Sequence, residues 1–337
     1  MMAKKVTIRQ VADEAGVSVT TVSQILNDKG GRFSQETRDR VLAVKERLHY
    51  VPDFNARNLI LHSSKMLGVL IPDLRNPFFS SFIHGIQEYC RDATYMPMVF
   101  SANHDVKLET YYLGKLLEHS VDGLIIASAS ITAEAIDKLV KPLQVPYLLF
   151  DQNQIANLAD RIEVDDYNGG LLAGQHLTEL GHQKMAILLP ANSTINVRER
   201  LRGFKAAIKQ AGLPADNLTE IHADFSMKAG YEATQKVLDS NVSAVFCADD
   251  ILAIGLYRGL NERGLHVPGD LSIIGYDDID LDQYVYPRLT TIAQPVVEIG
   301  RESARLLVNR LEKPDIDRQL IKFPVKLVQR ESTSVKK

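Results

Sequence analysis

Polar and aromatic side chains stand directly after several short apolar runs of this chain. Carboxylates and amides pair with vicinal hydroxyls, arginine donates from a planar fork, and aromatic faces cover the C–H faces of a sugar ring. If the runs are strands of doubly wound sheets, these side chains converge on the crevice at the strand carboxyl ends. Unsatisfied polar groups are costly to bury, so the set favours polyols over apolar ligands. The candidates are Asn76, Phe78, Phe79, Asp151, Arg198, Arg200, Asp249, Asp250, Asp277, Asp278 and Gln294.

Structural interpretations narrow this set. The two phenylalanines open a predicted helix and could simply pack in a core. Asp250 is expected to cap the helix that follows it, and Asp278 to cap or turn, so neither is kept as a ligand group. Arg198 and Arg200 are two residues apart on a predicted helix. They face different directions, so at most one should enter the crevice.

Neither a metal site nor a catalytic centre is predicted. Asp249 and Asp277 could form a metal pair, but neither belongs to a cluster with ligand spacing. His182 follows Gly181, where a helix should end, and it is interpreted as a C-terminal cap rather than a general base. The chain lacks a glycine-rich phosphate loop, a G-x-S-x-G elbow and a base paired with an orienting group. We therefore expect no cofactor and no enzymatic activity.

The stretch 7–27, TIRQVADEAGVSVTTVSQILN, has the pattern of two short helices joined by a tight turn. Its first half carries apolar residues at the i, i+3, i+4, i+7 spacing of one buried helix face. Thr7 and Gln10 predict a capping box, Gly16 the turn, and Ser18 the cap of the second helix. A helix-turn-helix of this kind reads base edges with the outer surface of its second helix.

In that second helix Val22 and Leu26 should face inward. The residues left on its outer surface are Val19, Thr20, Ser23 and Gln24. A third helix begins near Ser34 and should close a small core over the first two. Its expected core residues are Val41, Leu42 and Leu48. A head of this size is expected to be marginally stable alone.

The charge distribution singles out this head as the phosphate-binding part. The whole chain has a net charge of −3, whereas residues 1–62 carry ten basic and seven acidic side chains, or +3. The rest is therefore −6. A modest basic head on an acidic body is consistent with nucleic-acid binding by the head.

Two separated cysteines, Cys90 and Cys247, exclude a disulfide framework and a four-cysteine zinc site, and they favour a reducing compartment. The N-terminus has no apolar signal-peptide core, and no apolar run reaches the roughly 18 residues that span a membrane. We therefore expect a cytoplasmic protein without a membrane partner.

From Met66 onward, apolar runs suited to buried parallel strands alternate with helical patterns. This alternation predicts an α/β core of two doubly wound parallel-sheet subdomains behind the all-α head. The chain should cross between the sheets at Asp160 to Asp165, again near Leu289 to Pro295, and in the last strand, IKFPVKLVQ. We expect three parts: a DNA-binding head at 1–51, a hinge helix and linker at 52–64, and a core at 65–337. Two turns of helix are unstable alone, so the hinge should fold only conditionally.

These features resemble the LacI family of bacterial repressors, whose effector domain is similar to periplasmic sugar-binding proteins. The matching fragments include NPFF at 76–79, VDGLIIAS at 121–128, RLRGF at 200–204, IGYDD at 274–278 and LTTIAQP at 289–295. In that family the hinge folds when two copies meet in the minor groove and insert a leucine, here Leu59.

The resemblance implies DNA contacts and effector contacts residue by residue. DNA contacts are expected from Thr7, Ser18, Val19, Thr20, Thr21, Ser23, Gln24, Asn27, Arg32, Asn55, Ala56 and Leu59. The closest effector pattern is that of ribose repressors, which implies ligand contacts from Asn76, Phe78, Phe79, Asp151, Arg200, Phe225, Asp249, Asp277 and Gln294. Two positions depart from it: Gln152 stands where ribose binders often have arginine, and Asp249 where sugar sites usually have asparagine.

The expected function is that of a transcriptional repressor acting as a homodimer on a pseudo-palindromic double-stranded operator. A small sugar, with ribose as the leading candidate, would modulate it. The alternatives are a cytoplasmic sugar sensor without a DNA role, and a regulator that uses a non-sugar or protein co-effector. The absence of a C-terminal leucine heptad pattern favours a dimer over a tetramer.

Overall fold

The computed structural model describes residues 6–27, 30–52, 63–103, 105–128, 131–150, 159–191 and 193–336. The chain forms two compact units, residues 1–64 and 65–337. In the described ranges, no helix has both the length and the hydropathy needed to cross a lipid bilayer. The expected hinge residues Asn55, Ala56 and Leu59, together with Asp151 and Gln152, lie outside the described residues.

The head begins with the two helices that the sequence predicts. Its helices are α1 (Ile8–Ala15), α2 (Val19–Leu26) and α3 (Gln35–Arg47). The capping box is confirmed, because the Thr7 backbone donates to Gln10 Oε1 at 2.8 Å and the Gln10 backbone donates to Thr7 Oγ1 at 3.4 Å. Gly16 ends α1 at φ +65°, a left-handed conformation that glycine adopts without strain. Ser18 Oγ accepts from the Thr21 backbone at 3.1 Å and caps α2.

A small apolar cluster joins the three head helices. Its buried members are Val11, Ala12, Ala15, Val22, Ile25, Val41, Val44 and Tyr50. The expectation for Leu42 is wrong, since its side chain is 42% exposed and Val44 takes its place in the core. The two residues are two apart on a helix, and so they face different directions. Leu26 and Leu48 pack at the edge of this cluster.

The larger unit contains twelve strands in the described ranges. They are β1 (Met66–Ile71), β2 (Met96–Ser101), β3 (Gly123–Ile126), β4 (Tyr147–Phe150), β5 (Asp160–Val164), β6 (Met185–Leu189), β7 (Leu218–His222), β8 (Ala244–Cys247), β9 (Ser272–Asp277), β10 (Thr290–Ala293), β11 (Leu320–Phe323) and β12 (Lys326–Val328). The helices between them are α4 (Pro77–Asp92), α5 (Val106–Glu118), α6 (Asp166–Glu179), α7 (Ile195–Gln210), α8 (Met227–Glu232), α9 (Thr234–Asp239), α10 (Asp250–Asn261) and α11 (Val296–Glu312). A short irregular helical stretch occupies 133–143.

The strands form two six-stranded sheets. The first has the order β11-β5-β4-β3-β1-β2 and the second the order β12-β10-β9-β8-β6-β7. Every pair is parallel except β10 with β12. Alternate residues of β1 join different apolar clusters, with Leu67 and Val69 on one face and Met66 and Leu70 on the other. Both faces are therefore covered, as the continuous apolar runs predict.

The chain passes between the two sheets three times. It leaves the first sheet after Val164 at the end of β5, returns after Ala293 at the end of β10, and crosses again between β11 and β12. Pro324 lies in that last crossing and has no N–H to donate to a strand partner. The expected last strand is therefore two short strands in different sheets. Three adjacent crossings bring the carboxyl ends of both sheets to one cleft.

Candidate functional site

A cavity of about 630 Å³ lies between the carboxyl ends of the two sheets. Ligand pockets in proteins commonly have volumes of about 300 to 1,000 Å³. The cavity is lined by Pro72, Asp73, Asn76, Phe78, Phe79, Val106, Glu109, Ala127, Ser128, Phe150, Pro190, Thr194, Asn196, Arg200, Asp224, Phe225, Asp249, Asp277 and Gln294. The structure thus brings together eight of the nine residues proposed from sequence, and the ninth, Asp151, lies outside the described residues. That they contact a ligand remains a prediction.

Arg200 is the cavity's buried cation, and three partners hold it. It comes from α7, is 4% exposed, and donates from Nε to Asp166 Oδ1 at 2.7 Å and from a terminal nitrogen to the Ala248 carbonyl at 2.6 Å. Its guanidinium carbon lies 3.6 Å from the centre of the Tyr276 ring, a cation–π contact. Burial lowers the pKa of Arg200, but Asp166, Tyr276 and Asp277 more than offset this and raise it. The side chain is therefore a fixed, permanent charge.

The close crossing of α6 and α7 makes this ion pair possible. A Cβ atom on Gly170 would lie 1.9 Å from the Arg200 carbonyl oxygen, and one on Gly203 would lie 1.9 Å from that of Tyr167. Only glycine allows the backbones to approach so closely. Arg198 lies on the same helix but is exposed and donates to the Ser193 carbonyl, so only one of the two arginines enters the cleft.

Asp277 and Gln294 form a buried pair at the ends of β9 and β10. Gln294 Nε2 donates to Asp277 Oδ1 at 2.7 Å, while Gln294 Oε1 is buried without a hydrogen-bond partner among the described residues. Burial raises the pKa of Asp277 well above its usual value, against the effect of Arg200. Asp277 has φ +124°, a conformation that costs a non-glycine residue about 1 to 3 kcal/mol. Strained backbone of this kind concentrates at functional sites.

Asp249 rather than Asp250 caps α10, so the expectation for Asp250 is wrong. Asp249 Oδ1 accepts from the Leu252 backbone at 2.9 Å, while Oδ2 is buried and has no partner among the described residues. Asp250 accepts instead from Thr291 Oγ1 at 2.7 Å and from the Ile279 backbone at 3.2 Å. The cap is the last residue before the helix, and the helix begins at Asp250, one residue earlier than expected.

The aromatic residues Phe78, Phe79 and Phe225 both pack in the apolar core and line the cavity. Phe78 is 6% exposed, lies edge-on to Phe79 at 5.1 Å and stacks on Phe150 at 6.0 Å. Asn76 caps α4, with its side-chain oxygen accepting from the Phe78 backbone at 2.9 Å. Phe225 is half-buried and packs on the apolar clusters of both faces of the second sheet. Both the structural and the ligand-facing interpretations of these residues fit the geometry.

Sequence reasoning missed several polar cavity residues. Ser128 and Asp224 follow β3 and β7, so the strand-end rule predicts them once those strands are located. The β7 sequence LTEIH mixes polar and apolar residues and was not recognised as a strand. Glu109 lies on α5, is 1% exposed and accepts from Ser128 Oγ. A glutamate in a helix carries no local signal that it faces a cavity.

Two further expectations concern histidine and metal binding. His182 is buried, with Nδ1 2.8 Å from Ser243 Oγ and Nε2 3.1 Å from the Ser334 carbonyl oxygen. These contacts link the C-terminal end of α6 to the start of β8 and to the C-terminal segment of the chain. Within the described ranges, no group of three or more histidine, cysteine, aspartate or glutamate side chains could hold a metal ion.

The outer surface of α2 carries the candidate DNA contacts. Val19 and Thr20 are exposed, and Thr21, Ser23 and Gln24 are half-buried. Arg32 donates to Gln24 Oε1, which places two predicted contact residues side by side. Thr7 and Ser18 serve as helix caps, and Asn27 Nδ2 donates to the Ser23 carbonyl at 2.7 Å. These three side chains have a structural role whether or not they also touch DNA.

Comparison with known proteins gives matches over both units. The family model "Bacterial regulatory proteins, lacI family" matches residues 7–53, and "Periplasmic binding protein-like domain" matches residues 175–333. The HTH-type transcriptional repressor PurR of Photobacterium profundum is 34% identical over 97% of this chain and 98% of its own length.

Solved structures give the same result. A LacI family transcriptional regulator from Enterococcus faecium, with bound ribose, is 40% identical with a TM-score of 0.77, over 81% of this chain and 100% of that one. The lac repressor dimer bound to operator and the anti-inducer ONPF is 28% identical with a TM-score of 0.86, over 98% and 100%. The relatives are regulators and not enzymes. The chain therefore belongs to the LacI family of bacterial regulatory proteins and is a DNA-binding transcriptional repressor.

Proposed function

We propose that this repressor controls a sugar-utilisation operon and that a small sugar, D-ribose first, binds in the cleft and releases it from DNA. One observation carries the ligand half of the proposal. The buried atoms Asp249 Oδ2 and Gln294 Oε1 have no hydrogen-bond partner among the described residues, and both residues line the cavity. A buried polar atom without a partner costs about 1 to 3 kcal/mol, which a ligand hydroxyl would recover. The ribose-bound relative at 40% identity supports ribose as the first sugar to test.

The other walls of the cavity suit a monosaccharide. The pair Phe78 and Phe79 and the half-buried Phe225 provide apolar surface for the C–H faces of a ring. Carboxyl groups at strand ends of the second sheet, including Asp277 and Asp224, provide acceptors for hydroxyl groups. Asp166 and the Ala248 carbonyl hold Arg200, so the planar guanidinium presents its N–H donors in one fixed direction.

The DNA half of the proposal places a homodimer on a pseudo-palindromic operator. Each α2 would read a half-site in the major groove through Thr20, Ser23 and Gln24. The lac repressor neighbour, a dimer bound to operator, supports this arrangement. Tyr284 and Tyr286 are 84% and 94% exposed, and large exposed aromatic side chains are typical of protein interfaces. We place part of the dimer contact there.

Effector control would pass through the segment 52–64. We propose that paired Leu59 side chains open the centre of the operator and that sugar-driven cleft closure separates them. Moving the population from 99:1 to 1:99 requires an affinity difference of about 10⁴, or roughly 5.5 kcal/mol, between the two forms. Two sugar sites in a dimer would share this requirement.

The ligand half is tested by a thermal-shift screen of the full chain against pentoses and hexoses. We expect D-ribose to raise the melting temperature, and Asp277→Ala to abolish that rise. The exposed Asp216 gives a matched control, since Asp216→Ala should keep it. An equal rise in the Asp277 variant would reject the cleft assignment.

The DNA half is tested by gel shift with and without ribose, and loss of sequence selectivity in Gln24→Ala is the expected result.

A purine-related effector is the second candidate, because the PurR relative is 34% identical over almost the full length of both chains. The same screen separates the two candidates when hypoxanthine is included. A melting-temperature rise with hypoxanthine and none with any sugar would replace the sugar proposal.

A further inference from the structure

We propose that Asp249 binds the sugar as a neutral carboxylic acid, donating a hydrogen bond from Oδ2, so that effector binding takes up one proton. The inference rests on the proposed function and adds a property of that site, a dependence of effector affinity on pH. It follows from the two oxygens of one buried carboxyl group, which have different surroundings.

Oδ1 of Asp249 is already used. It accepts from the Leu252 backbone at 2.9 Å and closes the N-terminus of α10. The second oxygen, Oδ2, is buried and has no hydrogen-bond partner among the described residues. Asp249 itself is 3% exposed and lines the cavity. The helix cap fixes the carboxyl group, and with no described residue on Oδ2 we assign the ligand as its partner.

The groups around Asp249 disfavour a second negative charge. Asp250, the next residue on α10, and Asp277, which faces it from β9, are acidic, whereas Cys247 before it on β8 is a buried thiol whose raised pKa keeps it neutral. Within the described part of the chain, the cation that acts on it is Arg200 of α7, which is already bound to Asp166 of α6 and stacked on Tyr276. The other acids lining the same cavity are Asp73, Glu109 and Asp224.

These surroundings move the proton equilibrium into the neutral range. Burial raises the pKa of Asp249 to about 7; Asp250 adds to the rise, while the Leu252 N–H and Arg200 oppose it. A carboxyl group in this range is half protonated before any ligand arrives. A ligand oxygen beside Oδ2 then selects the protonated form, because a hydrogen bond to the neutral form favours it.

Gln294 supplies the complementary acceptor. Its Nε2 donates to Asp277 Oδ1, which leaves Oε1 as an acceptor without a partner among the described residues. A sugar hydroxyl both donates and accepts. A neutral Asp249 and the Gln294 amide together offer the cavity one donor and one acceptor, whereas an ionised Asp249 would offer acceptors only.

The test is isothermal titration of the full-length protein with D-ribose in phosphate buffer at pH 6 and pH 8, repeated at pH 8 in Tris buffer. Because a complex that requires the neutral acid loses affinity above the pKa of the free group, the Kd should rise about tenfold from pH 6 to pH 8. The difference between the binding enthalpies measured in the two buffers should show that each bound ribose is accompanied by uptake of about 0.9 proton at pH 8.

Asp249→Asn is the discriminating variant. Asparagine caps helices as well as aspartate and keeps a donor at the second position, but it cannot ionise. We expect its ribose affinity to be the same at both pH values, with no proton uptake. Asp216→Asn, in the short 3₁₀ helix Ala215–Asn217 and exposed, should keep the wild-type pH dependence. Equal pH dependence in wild type and the Asp249 variant would overturn the proposal.

Two other outcomes are distinguishable. Ribose binding by the wild type without proton uptake rejects the proton coupling and leaves the sugar site standing. No ribose heat at either pH rejects ribose and the assigned role of Asp249 together. A ligand-free measurement guards against a folding defect: Asp249→Asn should raise the melting temperature relative to wild type more at pH 8 than at pH 4, since only wild type must bury a charge there. An equal change at both pH values overturns the proposal as well.

Discussion

Replacing Asp166 with alanine should destabilise the core strongly, although Asp166 does not line the cavity. Its Oδ1 accepts from Arg200 Nε at 2.7 Å and from the Tyr276 hydroxyl at 2.9 Å, and both side chains of the ion pair are 5% exposed. The substitution leaves a buried guanidinium with a single carbonyl acceptor and a tyrosine hydroxyl without its acceptor. Removing one partner of a buried ion pair typically costs about 3 to 5 kcal/mol. We therefore expect a loss near 4 kcal/mol in the free energy of unfolding.

The assay is urea denaturation of the full-length protein followed by far-ultraviolet circular dichroism, since the chain contains no tryptophan. The matched control is Glu232→Ala, which removes an ion pair with Lys228 whose side chains are 60% and 82% exposed. Exposed pairs contribute about 0 to 1 kcal/mol, so this variant should unfold close to wild type. Ribose affinity should also fall in the Asp166 variant, because Arg200 loses the carboxylate that orients it. A loss of less than 1 kcal/mol would refute the view that this pair anchors the site.

Three further predictions follow from the close packing, the helix caps and the buried histidine. Gly203→Ala should cost about 1 to 3 kcal/mol and weaken ribose binding, because a Cβ atom would lie 1.9 Å from the Tyr167 carbonyl oxygen; unchanged urea midpoint and ribose affinity would contradict this. Ser18→Ala should lower the stability of the head by about 1 kcal/mol and weaken operator binding in a gel shift, whereas Ser18→Asp should keep the cap. Burial lowers the pKa of His182, so the unfolded chain binds its proton first as pH falls through about 6.5, and this side chain should lower the stability of the wild type relative to His182→Gln between pH 7 and pH 5. The urea midpoint of His182→Gln should therefore rise relative to that of the wild type over this range, and a constant difference between the two midpoints would exclude the effect.

The head shows how far local sequence rules reach. The capping box at Thr7 and the cap at Ser18 depend on residues three positions apart, so the sequence alone predicts them correctly. The choice between Leu42 and Val44 as a core residue depends on the rotation of α3 against its neighbours. That rotation is a tertiary property, and the prediction for Leu42 is wrong.

The cleft shows the same division. Asp277 and Gln294 could be predicted as cavity residues because the carboxyl ends of parallel strands always border the crevice. Glu109 could not, since it reaches the cavity from the side of a helix. The exchange of roles between Asp249 and Asp250 also needed the structure, because adjacent aspartates at a helix start are equivalent in sequence.

By itself, the sequence determined the alternation of apolar runs and helices, the caps of the head and the identity of the strand-end residues, because each depends on period or on near neighbours. Only the tertiary structure decided what those residues do to one another. The close approach of α6 and α7 joins Arg200 to Asp166, and the packing of β9 against β10 joins Asp277 to Gln294. Burial then changes their proton affinities, as it does for Asp249, and burial is set by elements far apart in the chain.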